Sequence, residues 1–129
     1  MRLKGKLFSF DLDNTLNFGD PPGPVTPRML KQLRRKGYYI GGASGKGIKY
    51  QRQKWLVAGV RPDFILVKSR AKEWQKAKQF KAGSFIHVGD DEKDERYATR
   101  AGFRFVSARD FVKILKHRMK SSSLPTGCD

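Results

Sequence analysis

Two carboxylates directly follow an apolar run near the start of the chain, in the segment FSFDLDNTL. Asp11 and Asp13 lie on either side of Leu12, and Thr15 follows two residues after Asp13. Ligands of parallel α/β sheets bind at the carboxyl ends of the strands. If a strand ends here, both carboxylates can reach one crevice, where one can act as a nucleophile and the other as a proton donor.

Two other interpretations of this segment are weaker. An EF-hand loop starting at Asp11 would need Gly at its sixth position and Glu at its twelfth, but Leu16 and Pro22 stand there. A solvated strand end, in which the carboxylates only cap a turn, is common for a single Asp. It is costly for two carboxylates placed together after an apolar run. The segment therefore favours a chemical role.

A second acidic segment, HVGDDEKDE, follows a later apolar run. Its Asp90, Asp91 and Asp94 fall within one predicted strand-to-helix turn, and such a cluster repels itself unless a hard cation binds there. Mg²⁺ prefers few protein carboxylates together with water and phosphate oxygens, which fits a site divided between Asp11 and this turn. A charged helix N-terminus would account for Asp91 but less well for Asp90, which we expect on the buried side.

The Gly-rich segment YYIGGASGKG lies between the two acidic segments. A Walker A loop would need Gly at position 40 and Ser or Thr at position 47, but Ile40 and Gly47 stand there. What remains is the Ser44 hydroxyl at a predicted strand end, with Gly45 allowing backbone N–H groups to approach an anion. This pattern predicts a contact with a phosphate oxygen.

The elements that must position these residues alternate along the chain. Five apolar segments, KLFSFDL, YYIGGA, DFILV, SFIHV and FRFV, are separated by helical patterns. This order predicts a three-layer, Rossmann-like α/β domain with a parallel sheet of about five strands. In the most regular helix, TPRMLKQLRRKG, Thr26 is the expected N-cap, Pro27 takes the first helical position, and Gly37 ends the helix.

The remaining helices are predicted from the spacing of their apolar residues. We expect one core-facing set at Ile48, Gln51, Trp55 and Leu56, and another at Ala71, Trp74, Ala77 and Phe80. The last two helices should cover about 93–101 and about 108–119. His87 is expected to be a packed strand residue. The whole forms one domain, residues 1–120, followed by a flexible tail, residues 121–129.

Composition limits the class of protein. The 129 residues are 38% hydrophobic, enough for one domain with a core, and contain neither a long apolar run nor a signal-peptide pattern. We therefore expect a soluble, cytoplasmic protein without a membrane partner. Cys128 is the only cysteine, which excludes an internal disulfide and a cysteine-rich zinc site. The net charge of +16 favours polyanionic partners such as nucleic acid, although charge alone identifies no ligand.

In order along the chain, DLDNT, a strand ending in Ser44, a lysine before a helix, and GDDEKD resemble the four motifs of the haloacid dehalogenase-like (HAD) superfamily. The match covers almost the whole predicted domain. The first and last motifs are specific, whereas the serine and the lysine are weak signals by themselves. The resemblance implies Mg²⁺-dependent phosphoryl transfer through an aspartyl phosphate.

The resemblance also implies a role for each matching residue. Asp11 would attack phosphorus, Asp13 would protonate the leaving oxygen and later activate water, and Thr15 would stabilise the loop. Ser44 would hydrogen-bond the phosphoryl group. Mg²⁺ would be held by the Asp11 carboxylate, the Asp13 carbonyl and Asp90, with Asp94 or Asp91 in support. The phosphate-binding lysine is either Lys68 or Lys72, and the start of the following helix favours Lys72.

The spacing of the motifs leaves no room for the cap domain that many HAD enzymes carry, so this chain resembles a capless member. Its open crevice would admit a macromolecular phosphate. The segment SGKGIKYQRQKWL is also similar to part of the phosphatase domain of polynucleotide kinase-phosphatases, which would make four cations candidate contacts to a nucleic-acid backbone: Lys46, Lys49, Arg52 and Lys54. A solvated basic helix face explains each of them equally well.

Three functions remain open on these grounds. The leading hypothesis is a Mg²⁺-dependent phosphomonoesterase, in its sharper form a 3′-phosphatase acting on phosphorylated DNA or RNA ends. A small-metabolite phosphatase whose site is capped by oligomerisation is the second, and the sequence does not determine the oligomeric state. The third is a nucleic-acid binding module that keeps the HAD scaffold without turnover.

Overall fold

The computed structural model describes the backbone of residues 5–122 and the side chains of residues 5–117. Five parallel strands form one sheet in the order β3-β2-β1-β4-β5. Their bounds are β1 Lys6–Phe10, β2 Tyr39–Ser44, β3 Phe64–Val67, β4 Ser84–Gly89 and β5 Arg104–Ser107. The predicted five-stranded parallel sheet is therefore confirmed.

Helices cover both faces of the sheet, which makes the three layers of a Rossmann-like fold. They are α1 Pro27–Arg35, α2 Ile48–Val57, α3 Gln75–Lys78, α4 Glu92–Arg100 and α5 Ala108–Ser122, and a 3₁₀ turn, Ala71–Trp74, leads into α3. The central strand β1 contributes to two buried clusters. Phe8 and Phe10 pack in one of them with Trp55 and Phe111, while Leu7 packs in the other. This alternation follows from the twofold period of side chains along a strand. None of the described helices is long and apolar enough to cross a membrane.

Helix α1 begins as its sequence predicts. Thr26 is the N-cap, and its Oγ1 accepts a hydrogen bond from the Met29 backbone N–H at 3.2 Å. Pro27 occupies the first helical position, where a missing N–H costs nothing. Gly37, at φ 87°, follows the C-cap in the left-handed conformation that favours glycine.

The N-cap gives a first testable prediction. Thr26→Ala should lower the free energy of unfolding by about 1 kcal/mol, because it leaves one helix N–H without its side-chain acceptor. Thr26→Ser keeps the hydroxyl and should recover most of that loss. Urea unfolding followed by circular dichroism measures both variants. Equal stabilities of the Ala and Ser variants would show that the cap contributes nothing.

Two expectations about the helix faces were wrong. On α2, Gln51 and Trp55 are buried as predicted, but Leu56 is 56% exposed, because it lies about 100° around the helix from Trp55. The segment after β3 is a 3₁₀ turn followed by a four-residue helix, so Ala71 is exposed at its start while Trp74 remains buried.

The C-terminal helix extends further than its sequence pattern predicts. We expected it to end near residue 119, whereas α5 continues to Ser122. The first two residues of the predicted tail, 121 and 122, are therefore helical. The rest of that predicted tail, residues 123–129, lies outside the described residues.

Candidate active site

The predicted site residues meet at the carboxyl edge of the sheet. Asp11 follows β1, Ser44 ends β2, Lys68 follows β3 and Asp90 follows β4. Since all five strands are parallel, these four chain positions lie along the same edge. The Asp11 backbone N–H donates to the Val88 carbonyl at 2.9 Å, which extends the pairing of β1 with β4 up to the first carboxylate.

Three carboxylates form a cluster at this edge. Asp11, Asp90 and Asp94 each offer an oxygen atom, and these atoms lie within 4.8 Å of one another. Asp94 is fully buried and Asp11 is 6% exposed, whereas Asp90 is exposed. The expectation of a buried Asp90 was therefore wrong. Asp90 precedes α4 at the mouth of the site, while Asp94 lies within the first turn and faces the sheet. This cluster could hold a metal ion.

Asp91 has a different role from its acidic neighbours. It is the N-cap of α4, and its Oδ1 accepts from the Asp94 backbone N–H at 2.9 Å. Asp94 Oδ2 in turn accepts from the Asp90 backbone N–H at 3.1 Å. Of the two candidates to support a metal, the geometry therefore favours Asp94, and Asp91 acts as a helix cap.

Lys68 joins two carboxylates of the cluster. Its Nζ lies 2.7 Å from Asp94 Oδ1 and 3.1 Å from Asp11 Oδ1. The Trp74 indole N–H donates to the Lys68 carbonyl at 3.0 Å and so holds the backbone at the strand end. The geometry favours Lys68 over the expected Lys72, because Lys72 lies in the 3₁₀ turn with an exposed side chain, one turn beyond the edge of the sheet.

Burial and charge give the two buried carboxylates different affinities for protons. Burial, assisted by the negative charge of Asp94, raises the pKa of Asp11 to about 8, although Lys68 opposes the shift. Burial would also raise the pKa of Asp94, but hydrogen bonds and charge from His87 and Lys68 outweigh it and lower that pKa below its usual value. Burial lowers the pKa of Lys68, but the two carboxylates outweigh it and raise the value overall. Asp94 therefore stays ionised while Asp11 is easily protonated.

His87 is a contact of the site that the sequence analysis missed. It is fully buried in β4, as expected of a packed strand residue, and burial lowers its pKa. Its Nε2 lies 3.1 Å from Asp94 Oδ1 and its Nδ1 lies 2.7 Å from Ser9 Oγ. His87 therefore orients the buried Asp94 carboxylate from within the sheet. The only signal in the sequence was a histidine two residues before Gly89, which does not by itself predict the contact.

A second missed residue, Gln51, supports the Ser44 turn. Ser44 is 3% exposed, and its Oγ accepts from the Lys46 backbone N–H at 3.1 Å. Buried Gln51 donates through Nε2 to the carbonyls of Lys46 at 2.8 Å and of Leu66 at 2.9 Å, which ties the turn to β3. Because the Ser44 oxygen acts as an acceptor here, its own O–H remains able to donate to an anion.

The loop after β1 places Asp13 at the mouth of the site. Its Oδ1 accepts from the Asp20 backbone N–H at 3.0 Å, and its Oδ2 lies 3.9 Å from Lys46 Nζ. Thr15 is fully buried, and its carbonyl accepts from the Val25 N–H at 3.0 Å. Asp13 is therefore open to a ligand, whereas Thr15 lies inside the loop.

Gly89 must be glycine for Asp94 to occupy its position. A Cβ atom at residue 89 would lie 2.5 Å from Asp94 Cγ. Gly89→Ala should therefore destabilise the protein by about 1–3 kcal/mol through overpacking. Gly45→Ala is the matched control, because a Cβ there meets nothing within 4 Å. Guanidinium unfolding compares the two variants, and equal stabilities would contradict the close packing at Gly89.

The edge of the sheet thus combines a carboxylate cluster, a partly buried ammonium group and a hydroxyl. Asp11 and Asp90 present oxygens that suit a hard cation, and Lys68 and Ser44 present donors that suit an anion. Such a set can bind a metal ion and an anionic ligand side by side. Comparison of the chain with protein-family models, curated proteins and solved structures finds no match, so a functional proposal rests on this site itself.

Proposed function

We propose that this chain is a Mg²⁺-dependent phosphomonoester hydrolase of the HAD type, acting through an aspartyl phosphate at Asp11. The observation that carries the proposal is the group formed by the three-carboxylate cluster and Lys68. Oxygens of Asp11, Asp90 and Asp94 lie within 4.8 Å of one another, and Lys68 Nζ lies 3.1 Å from Asp11. The order of the four motifs along the chain supports the same chemistry.

The carboxylate set fits Mg²⁺. Magnesium binds oxygen octahedrally at about 2.0–2.1 Å, so opposite ligand atoms are about 4 Å apart, close to the spread of the cluster. Asp11 and Asp90 would ligate it directly, and the exposed side of Asp90 leaves room for waters. Asp94, whose Oδ1 lies 2.7 Å from Lys68 Nζ, would support them. Bound Mg²⁺ would neutralise negative charge on the phosphoryl oxygens.

In the first step, an Asp11 carboxylate oxygen attacks phosphorus; bound Mg²⁺ would favour the ionised form of Asp11 that this step needs. The bond from phosphorus to the leaving oxygen breaks, and Asp13 gives that oxygen its proton. Lys68 and Ser44 donate hydrogen bonds to the phosphoryl oxygens as their charge is redistributed. Asp13 is suited to this role because it is partly exposed at the mouth and is oriented by the Asp20 N–H.

In the second step, water attacks phosphorus of the aspartyl phosphate. Asp13, now ionised, accepts a proton from that water, and the bond from phosphorus to the Asp11 oxygen breaks. Inorganic phosphate leaves, and both carboxylates return to their starting states. The buried Asp94, held by His87 and Lys68, keeps the ammonium group in place throughout.

The substrate we propose is a phosphorylated end of a nucleic-acid strand. Only α1 separates β1 from β2, and only α2 separates β2 from β3, so neither segment houses a cap domain. An uncovered edge admits a macromolecule. The net charge of +16 favours a polyanion, and Lys46 places one cation beside Asp13. On α2, Lys49 and Arg52 continue this basic surface, with exposed side chains.

The test is phosphate release from a 3′-phosphorylated oligonucleotide and from a small aryl phosphate, each with Mg²⁺ and with a chelator. We expect Mg²⁺-dependent release from both, and release from the oligonucleotide that falls steeply with salt. Borohydride added during turnover should reduce an acyl phosphate at Asp11 to homoserine, which peptide mass spectrometry detects.

Each outcome has a clear meaning. Absence of release from both substrates with Mg²⁺ would contradict the hydrolase. Release from the aryl phosphate alone would leave the chemistry standing and contradict the nucleic-acid substrate. Turnover without homoserine at Asp11 would contradict the covalent step.

A further inference from the structure

A large crevice opens beside the cluster on the α5 side of the site. It encloses about 710 Å³ and is lined by residues that include Asn14, Pro24, Asp90, Arg109, Val112 and Lys113. We call it the α5 crevice. Its volume lies within the range of small-molecule sites and suffices for a nucleotide. Asp90 belongs to both the crevice and the carboxylate cluster.

The α5 crevice adjoins the residues that would act on the leaving group. In phosphoryl transfer the attacking and leaving oxygens are roughly in line, so the leaving oxygen lies opposite Asp11 and next to its proton donor, Asp13. Asn14, which directly follows Asp13, lines the crevice, and Pro24 of the same connection lines it too. The crevice therefore lies beside the carboxylate cluster and beside the segment that carries the proposed proton donor.

Two other pockets lack this relation to the site. One pocket, of about 310 Å³, lies between α4 on one side and the 3₁₀ turn and α3 on the other. Lys68 is the one proposed site residue in its lining. Another, of about 330 Å³, is lined by apolar residues such as Phe8 and Phe111 and contains none of the site residues. Neither is lined by residues 11–15, so neither suits the leaving group.

The walls of the α5 crevice indicate what the leaving group carries. Pro24 and Val112 offer apolar surface, and Arg109 and Lys113 offer two exposed cations. The cations are four residues apart, so they share one face of α5. Neither forms an ion pair with any residue in the described part of the chain.

A second acidic residue, Asp110, lines the crevice in addition to Asp90. Its backbone N–H donates to Ser107 Oγ at 3.1 Å, which places Asp110 in the first turn of α5. A carboxylate is favourable at a helix N-terminus because it meets the positive end of the helix dipole. Asp110 therefore has a helix-stabilising role, and the two cations remain available to an anion of the substrate.

We infer that the α5 crevice binds the nucleotide next to the terminal phosphate, with Arg109 and Lys113 contacting its phosphodiester. This inference rests on the proposed function and specifies how that site selects its substrate. The terminal phosphoryl group is already met by Lys68 and Ser44. Two further cations beyond an apolar wall suit a second anion, which a strand of nucleic acid supplies and a simple phosphate ester lacks.

The test compares two double variants that remove the same charge. Arg109→Gln/Lys113→Gln removes the two cations that line the crevice. Lys31→Gln/Arg35→Gln removes an equally spaced pair of exposed cations on α1. The readout is the ratio of kcat/KM for the 3′-phosphorylated oligonucleotide to that for the aryl phosphate. We expect this ratio to fall about tenfold or more in the crevice variant, since phosphate contacts supply much of the affinity. The α1 variant should keep the wild-type ratio.

A binding measurement gives a second readout without turnover. Fluorescence anisotropy in the Asp11→Asn background measures affinity for the labelled oligonucleotide over a range of salt concentrations. Losing the cations that neutralise this one phosphodiester should reduce the slope of log K against log salt by about 0.7. The α1 variant should change that slope less.

Failure of the inference is distinct from failure of the proposed function. If the wild type releases phosphate from neither substrate, both are wrong. If the wild type acts on the aryl phosphate alone, or if the two double variants give the same ratio and salt slope, the crevice assignment is wrong and the hydrolase stands.

Discussion

Asp11→Asn should release no phosphate from either substrate and should be more stable than the wild type at pH 8. The catalytic loss follows from removing the proposed nucleophile, and we expect at least about a thousandfold fall in kcat. The gain in stability follows from removing a carboxylate that is only 6% exposed and lies beside the buried Asp94. An amide of the same shape still accepts a hydrogen bond from Lys68.

The pH dependence of that gain has a defined sign. The pKa of Asp11 is raised from its ordinary value to about 8, so the folded state holds this proton more tightly than the unfolded state. The stability contributed by the protonated form is present below pH 4 and is lost as pH rises towards 8. The difference in unfolding free energy between Asp11→Asn and wild type should therefore grow over this interval, reaching on the order of a few kcal/mol.

Urea unfolding at several pH values with a chelator present measures this difference. Asp13→Asn is the matched control, because it removes the second proposed catalytic carboxylate, whose side chain is 27% exposed, and it should give little gain in stability. Adding Mg²⁺ at pH 8 should stabilise the wild type more than Asp11→Asn, since binding to the folded state adds stability. An Asp11→Asn variant that is less stable than wild type at pH 8 would contradict the raised pKa of the buried Asp11 carboxyl group.

Lys68→Met should lose both activity and stability. The ammonium group contacts Asp11 and Asp94, and its loss leaves two buried carboxylates without their shared cation. Breaking a buried charge pair in this way costs about 3–5 kcal/mol. Loss of a donor to the phosphoryl group should lower kcat by about a hundredfold or more. Lys72→Met, at an exposed position, should change the unfolding free energy by less than about 0.5 kcal/mol.

The double variant Asp11→Asn/Lys68→Met keeps this prediction testable if the single variant does not fold. Removing the Asp11 charge relieves the repulsion with Asp94, so the double variant should recover part of the lost stability. Equal losses for Lys68→Met and Lys72→Met, in stability and in turnover, would contradict the assignment of Lys68. Unfolding and initial rates measured on the same preparations decide between the two lysines.

Much of the fold could be predicted from local patterns. The five strands lie where short apolar segments occur. Helix α1 begins at Pro27, because the N-cap Thr26 and Pro27 agree with its apolar spacing. The helix after β3 was less predictable. Trp74 and Ala77 are buried at helical spacing, but the backbone forms a 3₁₀ turn before a short helix, and spacing alone does not distinguish these geometries.

The site was only partly predictable, because it is assembled from four separate strand ends. Motif order placed Asp11, Ser44 and the acidic turn at one edge, and the structure brings them together there. The choice of Lys68 over Lys72 depended on which side chain crosses the edge towards β1. The burial of Asp94 depended on the direction in which α4 leaves β4. Both are properties of three-dimensional packing.

By itself, the sequence determined the parallel α/β architecture and the types of group that gather at its edge. Hydrophobic periodicity and capping are local and can be seen in a short segment. The tertiary structure decided which acid is buried, which lysine it pairs with and that His87 and Gln51 support the site. These depend on contacts between residues far apart in the chain, whose energies come from burial and charge that no local segment contains.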